Sequence, residues 1–212
     1  MAHWIYRISN PTVRLLLFLF SRWEVKGKEN VPRSGPVIVV ANHMTMVDPP
    51  MLSVSLGRYA QIMAKEELFR TRFTNYIMSG LGAFPVHRGR LDRQALRIAE
   101  KALSDGGVLM IFPEGQRSRS GKLQKASAGA TLIALRNGVP ILPVGITGTE
   151  RVSGIRSVLH RPRLTVNIGK PFHLPIAKGK EDRVARTDYL MKHIAEVLPE
   201  EYRGIYGSRE TP

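Results

Sequence analysis

An imidazole and a carboxylate stand five positions apart in this chain, directly after an apolar run of the kind that forms buried strands. The run Val37–Ala41 stops, and Asn42, His43 and Asp48 follow within seven positions. Five helical residues rotate by about 500°, so the two side chains can meet only across a strand-to-helix turn. There Asp48 would hold one ring nitrogen of His43 and leave the other as a general base. Alternatively, Asp48 only caps the helix that begins at Pro49, and His43 is an incidental loop residue.

A second group of residues with binding chemistry follows another strand-like run. The run Val108–Phe112 breaks at Pro113, and Glu114, Gly115 and Arg117 come after it. Glycine lets backbone N–H groups approach a ligand closely, and the forked arginine side chain suits a phosphate. Further basic residues at the ends of predicted elements are Lys65, Arg88 and Lys125. A phosphate bound by several of these residues would account for their placement; otherwise each is a solvated surface charge.

Strand-like and helical patterns alternate along the chain. The strand-like runs are Val37–Ala41, Tyr59–Ala64, Ala83–Val86, Val108–Phe112, Pro140–Ile146 and Leu164–Ile168. Asp92 and Ser127 are predicted helix caps, and a third helix is predicted over residues 182–197. This alternation predicts an α/β fold: a single domain with a largely parallel central sheet covered by helices. In such sheets, reactive groups collect where strands end and loops begin.

Charge and cysteine content narrow the classes of partner and of chemistry. The 212 residues include 32 Lys and Arg against 17 Asp and Glu, a net charge of +15, and the excess is spread along the chain. A broad basic surface favours an anionic partner: a phospholipid membrane, a phosphorylated substrate or an acidic carrier protein. Nucleic acid is compatible with the charge alone, but no nucleic-acid-binding motif is visible. The absence of cysteine excludes a thiol nucleophile and any thiolate zinc site.

The N-terminal residues are apolar and basic, but their uninterrupted apolar run is too short to cross a bilayer. That run, Leu15–Phe20, falls far below the ~20 residues required. With Trp4, Trp23 and interspersed arginines, this part of the chain suits either an interfacial helical segment on anionic lipid or a terminal helix packed on its own domain. The predicted division is a membrane-interfacial segment over residues 1–23, a domain over residues 24–200 and a loosely held tail over residues 201–212.

Four short blocks resemble the glycerolipid acyltransferase family, the group that contains the 1-acylglycerol-3-phosphate acyltransferases. The blocks are NHMTMVD at 42–48, GAFPVHR at 82–88, FPEGQRS at 112–118 and VPILPVGI at 139–146, in the family's order. The resemblance implies transfer of a fatty acyl group from acyl-CoA or acyl carrier protein to a hydroxyl of lysophosphatidic acid or a related glycerophospholipid, in phospholipid biosynthesis. We therefore expect a peripheral membrane enzyme at the cytoplasmic face, with no metal, no cofactor beyond the acyl co-substrate and no nucleic-acid partner.

Carried over residue by residue, the resemblance makes His43 and Asp48 the catalytic pair. The residues that it assigns to the acceptor phosphate are Glu114, Gly115, Arg117, Arg88 and Lys65. Those that it assigns to support of the acyl site are Asn42 and Pro140. Met44, Thr45 and Gln116 depart from the family's usual residues beside the expected phosphate site, so they bear on the identity of the acceptor.

The chemistry of these residues agrees with acyl transfer. An alcohol that attacks a thioester needs a base, a donor for the oxyanion and a dry apolar place for the acyl chain. The histidine pair supplies the base, and backbone N–H groups near Gly115 or the His43 turn could supply the donor. The aromatic stretch 69–81, whose apolar residues fall at helical spacing, is predicted to be core or the wall of an apolar groove. Direct attack without an acyl-enzyme follows from this arrangement.

A hydrolase and a non-catalytic binding protein are the alternatives. A serine hydrolase would want a Gly-x-Ser-x-Gly elbow, which the sequence lacks. Metal-dependent hydrolysis could recruit His43, Asp48 and Glu114, but His87 and His160 stand alone and complete no ligand set. A basic lipid- or nucleic-acid-binding protein without catalysis fits the charge but not the four ordered blocks.

Overall fold

The fold is built on one sheet that is parallel except at one pair of strands. The computed structural model describes residues 3–87, 92–152, 154, 160–175 and 182–207. Seven strands of this part pair in the order β1-β7-β6-β2-β5-β3-β4, and only β6 and β7 are antiparallel. The strands are β1 Arg22–Lys26, β2 Val37–Ala41, β3 Ala60–Lys65, β4 Ala83–Val86, β5 Val108–Ile111, β6 Ile141–Thr147 and β7 Arg163–Ile168. The predicted α/β fold with a largely parallel sheet is confirmed.

Helices cover both faces of this sheet. They are α1 His3–Phe20, α2 Asp48–Leu56, α3 Arg72–Gly80, α4 Arg93–Ser104, α5 Gly129–Asn137 and α6 Asp182–Glu196. Every residue of β2 is buried, and alternate residues point to opposite layers. Val37 and Val39 pack with residues of α2 and α1, whereas Ile38 and Val40 pack with residues of α4, α5 and α6. A continuous apolar run is therefore the expected signature of this central strand.

The six predicted strands are all present, within one or two residues at their ends, and one strand was missed. That strand, β1, reads RWEVK, and three of its five residues are charged. It pairs with β7 alone at one edge of the sheet, where charged and partly exposed residues are tolerated. An edge position thus removes the apolar pattern by which central strands are recognised.

Of the two predicted helix caps, Asp92 is confirmed and Ser127 is wrong. Asp92 caps α4, accepting hydrogen bonds from the backbone N–H groups of Gln94 and Ala95, each at 3.0 Å. Ser127 does not cap α5, which begins at Gly129 without a side-chain cap. Instead, the backbone N–H of Ser127 donates to the carbonyl of Pro113 at 2.9 Å, so this residue ties the start of α5 to the loop after β5.

The N-terminal helix α1 packs on its own domain, one of the two arrangements that the sequence left open, and contact of its outer face with lipid stays a prediction. Ile5 and Leu17 are buried against the domain, and Ile5 lies directly over Gly80 of α3, where an added Cβ would come 2.3 Å from its Cδ1. The outer face of α1 leaves large apolar side chains exposed, namely Trp4, Ile8, Leu15, Leu16, Phe18, Leu19 and Phe20. Within the described ranges, no helix has both the length and the apolar character to cross a membrane.

Two further segments bear on expectations from the sequence. On α3, Phe73 is 74% exposed and Tyr76 is 51% exposed, so these aromatic residues do not lie in the core, and the alternative of a groove wall stays a prediction. The segment 200–207 forms two short 3-10 turns that pack on the domain instead of hanging loosely. The backbone carbonyl of Tyr202 accepts a hydrogen bond from the Leu123 N–H at 2.8 Å, and the Tyr202 hydroxyl donates one to Glu150 at 2.8 Å.

Candidate active site

The His43 and Asp48 side chains meet where β2 ends and α2 begins. The distance from His43 Nδ1 to Asp48 Oδ2 is 2.8 Å, and both side chains are buried. Asp48 is the first residue of α2 and not its N-cap, a position that Val47 holds. The turn between strand and helix therefore brings the imidazole and the carboxylate together, as the spacing of the two residues predicted. An ionised carboxylate only accepts hydrogen bonds, so in the neutral imidazole the contact selects the tautomer with the proton on Nδ1 and leaves Nε2 as the acceptor.

The carboxylate of Asp48 is surrounded by donors. Its Oδ2 atom also accepts the backbone N–H groups of Met44 at 2.6 Å and Thr45 at 2.7 Å. Its Oδ1 atom accepts the hydroxyl of Thr149 at 2.6 Å and that of Thr45 at 3.3 Å. Asp48 has no exposed surface, so these protein groups take the place of water around its charge. The carboxylate is held in one orientation, with one oxygen directed at the imidazole.

Glu114, on the loop after β5, fixes the backbone on which His43 sits. One carboxylate oxygen accepts the His43 backbone N–H at 3.0 Å, and the other accepts the Gln124 N–H at 3.0 Å. Burial raises the pKa of Glu114 to about 7, and the nearby charge of Asp48 acts in the same direction, although the two hydrogen bonds oppose the shift. From the same loop, the Ser118 N–H donates to the His43 carbonyl at 2.7 Å. The loop thus holds both polar groups of the His43 backbone.

Two more side chains define the setting of His43. The ring of Phe112 stacks on the imidazole, with 4.3 Å between the ring centroids and 28° between the planes. The Asn42 side chain donates to the carbonyl of Ile146 at 2.8 Å and accepts its N–H at 2.7 Å, which joins the end of β2 to β6. Asn42 therefore holds the backbone at the end of β2 against β6. These two hydrogen bonds account for its burial without a contact to an acyl chain.

The residues predicted to bind a phosphate are placed as follows. Gly115 adopts a left-handed conformation, with φ 68°, and Arg117 is exposed on the same loop. Lys65 is exposed at the end of β3, and its Nζ lies 2.6 Å from Glu67 Oε1. Arg88 lies outside the described residues. The buried position of Glu114 and its two backbone hydrogen bonds do not suit direct contact with a phosphate, whose charge it would repel.

Pro140 stands away from the His43 turn. Residue Ile141 pairs with Ile38 near the start of β2, whereas His43 follows the end of that strand. Because β2 and β6 are parallel, Pro140 lies at the amino-terminal end of these strands, whereas His43 lies at their carboxyl-terminal end. The support of the acyl site by Pro140 stays a prediction.

The spacing of His43 and Asp48 occurs a second time in the chain. His87 Nδ1 lies 2.8 Å from Asp92 Oδ2, and His87 Nε2 faces a Glu66 carboxylate oxygen. The sequence suggested that His87 stands alone, and the structure shows that it does not. Although partial burial opposes it, hydrogen bonds from the His87 and Ala95 backbone hold the pKa of Asp92 well below its usual value. Carboxylates occupy both ring nitrogens of His87, so it lacks the open nitrogen that a base requires.

Thr149 is the site residue that sequence reasoning missed. It is fully buried in a 3-10 turn after β6, and 101 residues separate it from Asp48. Thr149, one of two threonines in the segment ITGTE, carries no local signal of chemistry, and only the folded chain brings its hydroxyl to the carboxylate.

Fold and site together define a class: an α/β protein with a buried His–Asp pair at the carboxyl end of its sheet. A family model described as "Acyltransferase" matches residues 22–147, more than half of the chain. The chain belongs to the acyltransferase family.

Individual relatives agree with this assignment. The chloroplastic 1-acyl-sn-glycerol-3-phosphate acyltransferase LPAT1 of Arabidopsis thaliana is 30% identical over 78% of this chain and 48% of its own length. The 1-acyl-sn-glycerol-3-phosphate acyltransferase of Bacillus subtilis is 28% identical over 91% of this chain and 96% of its own. The chain thus spans about half the length of the plant relatives that it matches.

A solved structure shows the same fold. The crystal structure of the 1-acyl-sn-glycerophosphate acyltransferase PlsC from Thermotoga maritima superposes with a TM-score of 0.69 and 29% sequence identity. The match covers 90% of this chain and 78% of that one.

Proposed function

We propose that this chain transfers a fatty acyl group from a thioester to the free hydroxyl of 1-acylglycerol-3-phosphate, a step of phospholipid biosynthesis. The observation that carries the proposal is the buried His43–Asp48 pair, held at 2.8 Å in a chain of the acyltransferase family. The printed names of the relatives support this choice of acceptor.

In the proposed reaction, His43 Nε2 accepts the proton of the attacking hydroxyl. The alcohol oxygen forms a bond to the thioester carbonyl carbon, and the carbon–sulfur bond then breaks. The departing thiolate takes up the proton from the imidazolium, so the histidine returns to its starting form. Asp48 stabilises the imidazolium between these steps and keeps Nδ1 as a donor throughout.

The hydroxyl groups of Thr45 and Ser118, whose backbones lie in or contact the His43 turn, support direct attack without an acyl-enzyme. The Ser118 hydroxyl is buried and donates to the Lys122 carbonyl at 2.6 Å. The Thr45 hydroxyl accepts the Val47 N–H at 3.2 Å and lies against Asp48. Neither hydroxyl is hydrogen-bonded to the imidazole, which is what activation of a serine or threonine nucleophile requires.

For the acceptor phosphate, we propose three basic residues, of which Arg117 and Lys65 are exposed. Arg117 offers a forked donor, and the backbone at Gly115 is open, since an added Cβ there would meet no atom within 4 Å. Lys65 and Arg88 complete the proposed set. Glu114 serves this site indirectly, because its carboxylate holds the backbone of His43 and of the loop that carries Arg117.

The proposed location is the surface of an anionic membrane, at its cytoplasmic face. The exposed outer face of α1, together with Phe73 and Tyr76 of α3, offers apolar side chains to lipid, and the net charge of +15 favours anionic headgroups. The proposed donor is acyl-CoA or acyl carrier protein, whose acidic surface would suit the same charge. No cofactor and no nucleic-acid partner are required by this scheme.

The test is transfer of labelled palmitate from palmitoyl-CoA or palmitoyl carrier protein to 1-acylglycerol-3-phosphate, glycerol 3-phosphate and head-grouped lysophospholipids. We expect transfer to 1-acylglycerol-3-phosphate by the wild type and its loss in Asp48→Asn. Asp105→Asn, which removes an exposed carboxylate that pairs with Lys101, is the matched control and should retain transfer. Absence of transfer to every acceptor from both donors would contradict the proposal.

A further inference from the structure

We infer that Thr149 is a positioning residue for the reaction: its hydroxyl fixes the Asp48 carboxylate so that the other oxygen holds the imidazole of His43. This inference rests on the proposed function. Thr149 lies two residues beyond the end of the family match at residue 147, so that match gives it no role.

The contacts of Asp48 show why one hydroxyl carries so much of the orientation. Its Oδ2 atom has three close donors, all from the turn at 43–45. Its Oδ1 atom has the Thr149 hydroxyl at 2.6 Å and only a long contact, 3.3 Å, to Thr45. Without Thr149, a fully buried anionic oxygen would keep one weak donor among the residues that the structure describes. Rotation of the carboxylate toward better partners would then weaken the contact between Oδ2 and the imidazole.

The backbone before Thr149 is built to deliver that hydroxyl. Gly148 adopts φ 87°, in the left-handed region that favours glycine. A Cβ at Gly148 would lie 2.0 Å from the carbonyl oxygen of Arg163, so the turn packs directly against the start of β7. The chain thus leaves β6 in a conformation that only glycine fits, and it places Thr149 in the interior. A positioning role accounts for both features.

The turn is also anchored from its outer side. Glu150 accepts the Tyr202 hydroxyl at 2.8 Å, and the Tyr202 carbonyl in turn accepts the N–H of Leu123. Leu123 follows the loop whose residues hold the His43 backbone. The 3-10 turn of Thr149 is therefore connected to the same rigid frame as the catalytic histidine, which is what a residue that sets an angle requires.

The test compares Thr149→Val, which removes only the hydroxyl, with Thr149→Ser, which keeps it. We expect Thr149→Val to lower kcat for transfer to 1-acylglycerol-3-phosphate by about 10- to 100-fold with KM unchanged, the scale of a small misplacement of a catalytic group. Thr149→Ser should restore kcat. The matched control is Thr131→Val, which removes a buried hydroxyl that contacts Thr187 at 2.9 Å on the other face of the sheet; it should leave kcat unchanged.

A second readout does not depend on turnover. In protein labelled with nitrogen-15 at histidine, the Nδ1–H proton resonance of His43 should shift in Thr149→Val and return in Thr149→Ser. Unchanged kcat and an unchanged resonance in Thr149→Val would overturn the inference. If the valine variant fails to fold, Thr149→Cys, a weak donor of serine's size, takes its place against Thr149→Ser. An inactive wild type would overturn the proposed function, and the histidine resonance would still decide the role of Thr149.

Discussion

At the scale of single residues, the site depends on groups that hold the histidine and do not themselves react. Asp48 fixes the ring, while Glu114 and Ser118 fix the backbone at its two polar groups. Glu114 combines this role with burial, which disfavours its charged form and raises its pKa to about 7. A buried carboxyl with this pKa makes stability depend on pH in a window that its exposed counterparts do not share.

The predicted pH dependence follows from linkage. The folded pKa of about 7 lies above the ordinary value of 4.5, so the native protein binds more protons than the unfolded chain between these values. The contribution of Glu114 to the free energy of unfolding is fully present below pH 4.5 and is lost as the pH rises through about 7. Relative to Glu114→Gln, the wild type should lose about 3 kcal/mol across this window, measured by urea unfolding at fixed ionic strength.

The control for this experiment is Glu201→Gln, which removes an exposed carboxylate from the 3-10 turn at 200–202. The difference in free energy of unfolding between Glu201→Gln and the wild type should not fall between pH 4.5 and about 7. A difference between the wild type and Glu114→Gln that stays constant from pH 4.5 to pH 8 would show that burial does not govern this carboxyl group.

At the scale of elements, the position of α1 depends on the close approach of two helices at one glycine. Gly80 of α3 lies under Ile5, whose Cδ1 and Cβ would come within 2.3 and 2.9 Å of an added Cβ. Gly80→Ala should therefore lower the free energy of unfolding by about 1–3 kcal/mol, the range for overpacking. In an Ile5→Ala background the same change should cost less, because the clashing atoms are gone.

Gly129→Ala is the matched control for this helix contact. Gly129 is the first residue of α5, and an added Cβ there would meet only Ser127 Oγ at 3.8 Å, an ordinary contact. Alanine should be neutral or stabilising at this position. Equal costs of Gly80→Ala with and without Ile5 would contradict the packing of α1 on α3.

The elements also show what the sequence could and could not predict. The strand β2 and the pairing of His43 with Asp48 depend on residues that are neighbours in the chain, so local patterns predict them. Edge strand β1 escaped because its charged residues break the apolar pattern. Thr149 escaped because it reaches Asp48 only through a parallel sheet that brings β2 and β6 together over a long separation. The backbone contacts of Glu114 could not be predicted, because its burial is a property of the fold.

At the scale of the whole molecule, apolar and basic surfaces predict where the protein docks. The outer face of α1 lies on one side of the sheet, and α6 packs on the other. In α1, Phe18 is 69% exposed, and in α6, Val184 is 62% exposed, so the two residues are matched in exposure on opposite faces. They provide a direct comparison of the two sides of the domain.

We expect Phe18→Ser combined with Leu15→Ser to weaken binding to phosphatidylglycerol vesicles, measured by co-sedimentation, because two apolar side chains no longer enter the interface. Val184→Ser should bind as the wild type does. Binding should also weaken with added salt, since anionic headgroups attract the basic surface. Unchanged binding of the α1 variant, or an equal loss in both variants, would contradict a specific contact of lipid with the α1 face.

The most direct measurement compares the two histidines that share the same spacing to an aspartate. His43 and His87 each place Nδ1 2.8 Å from an aspartate Oδ2 atom, but a second carboxylate faces Nε2 only in His87. In transfer of palmitate from palmitoyl-CoA to 1-acylglycerol-3-phosphate, His43→Ala should lower kcat by about 100- to 10,000-fold, the scale of general-base catalysis. His87→Ala should keep kcat near that of the wild type. Full activity of His43→Ala would contradict the assignment of His43 as the base.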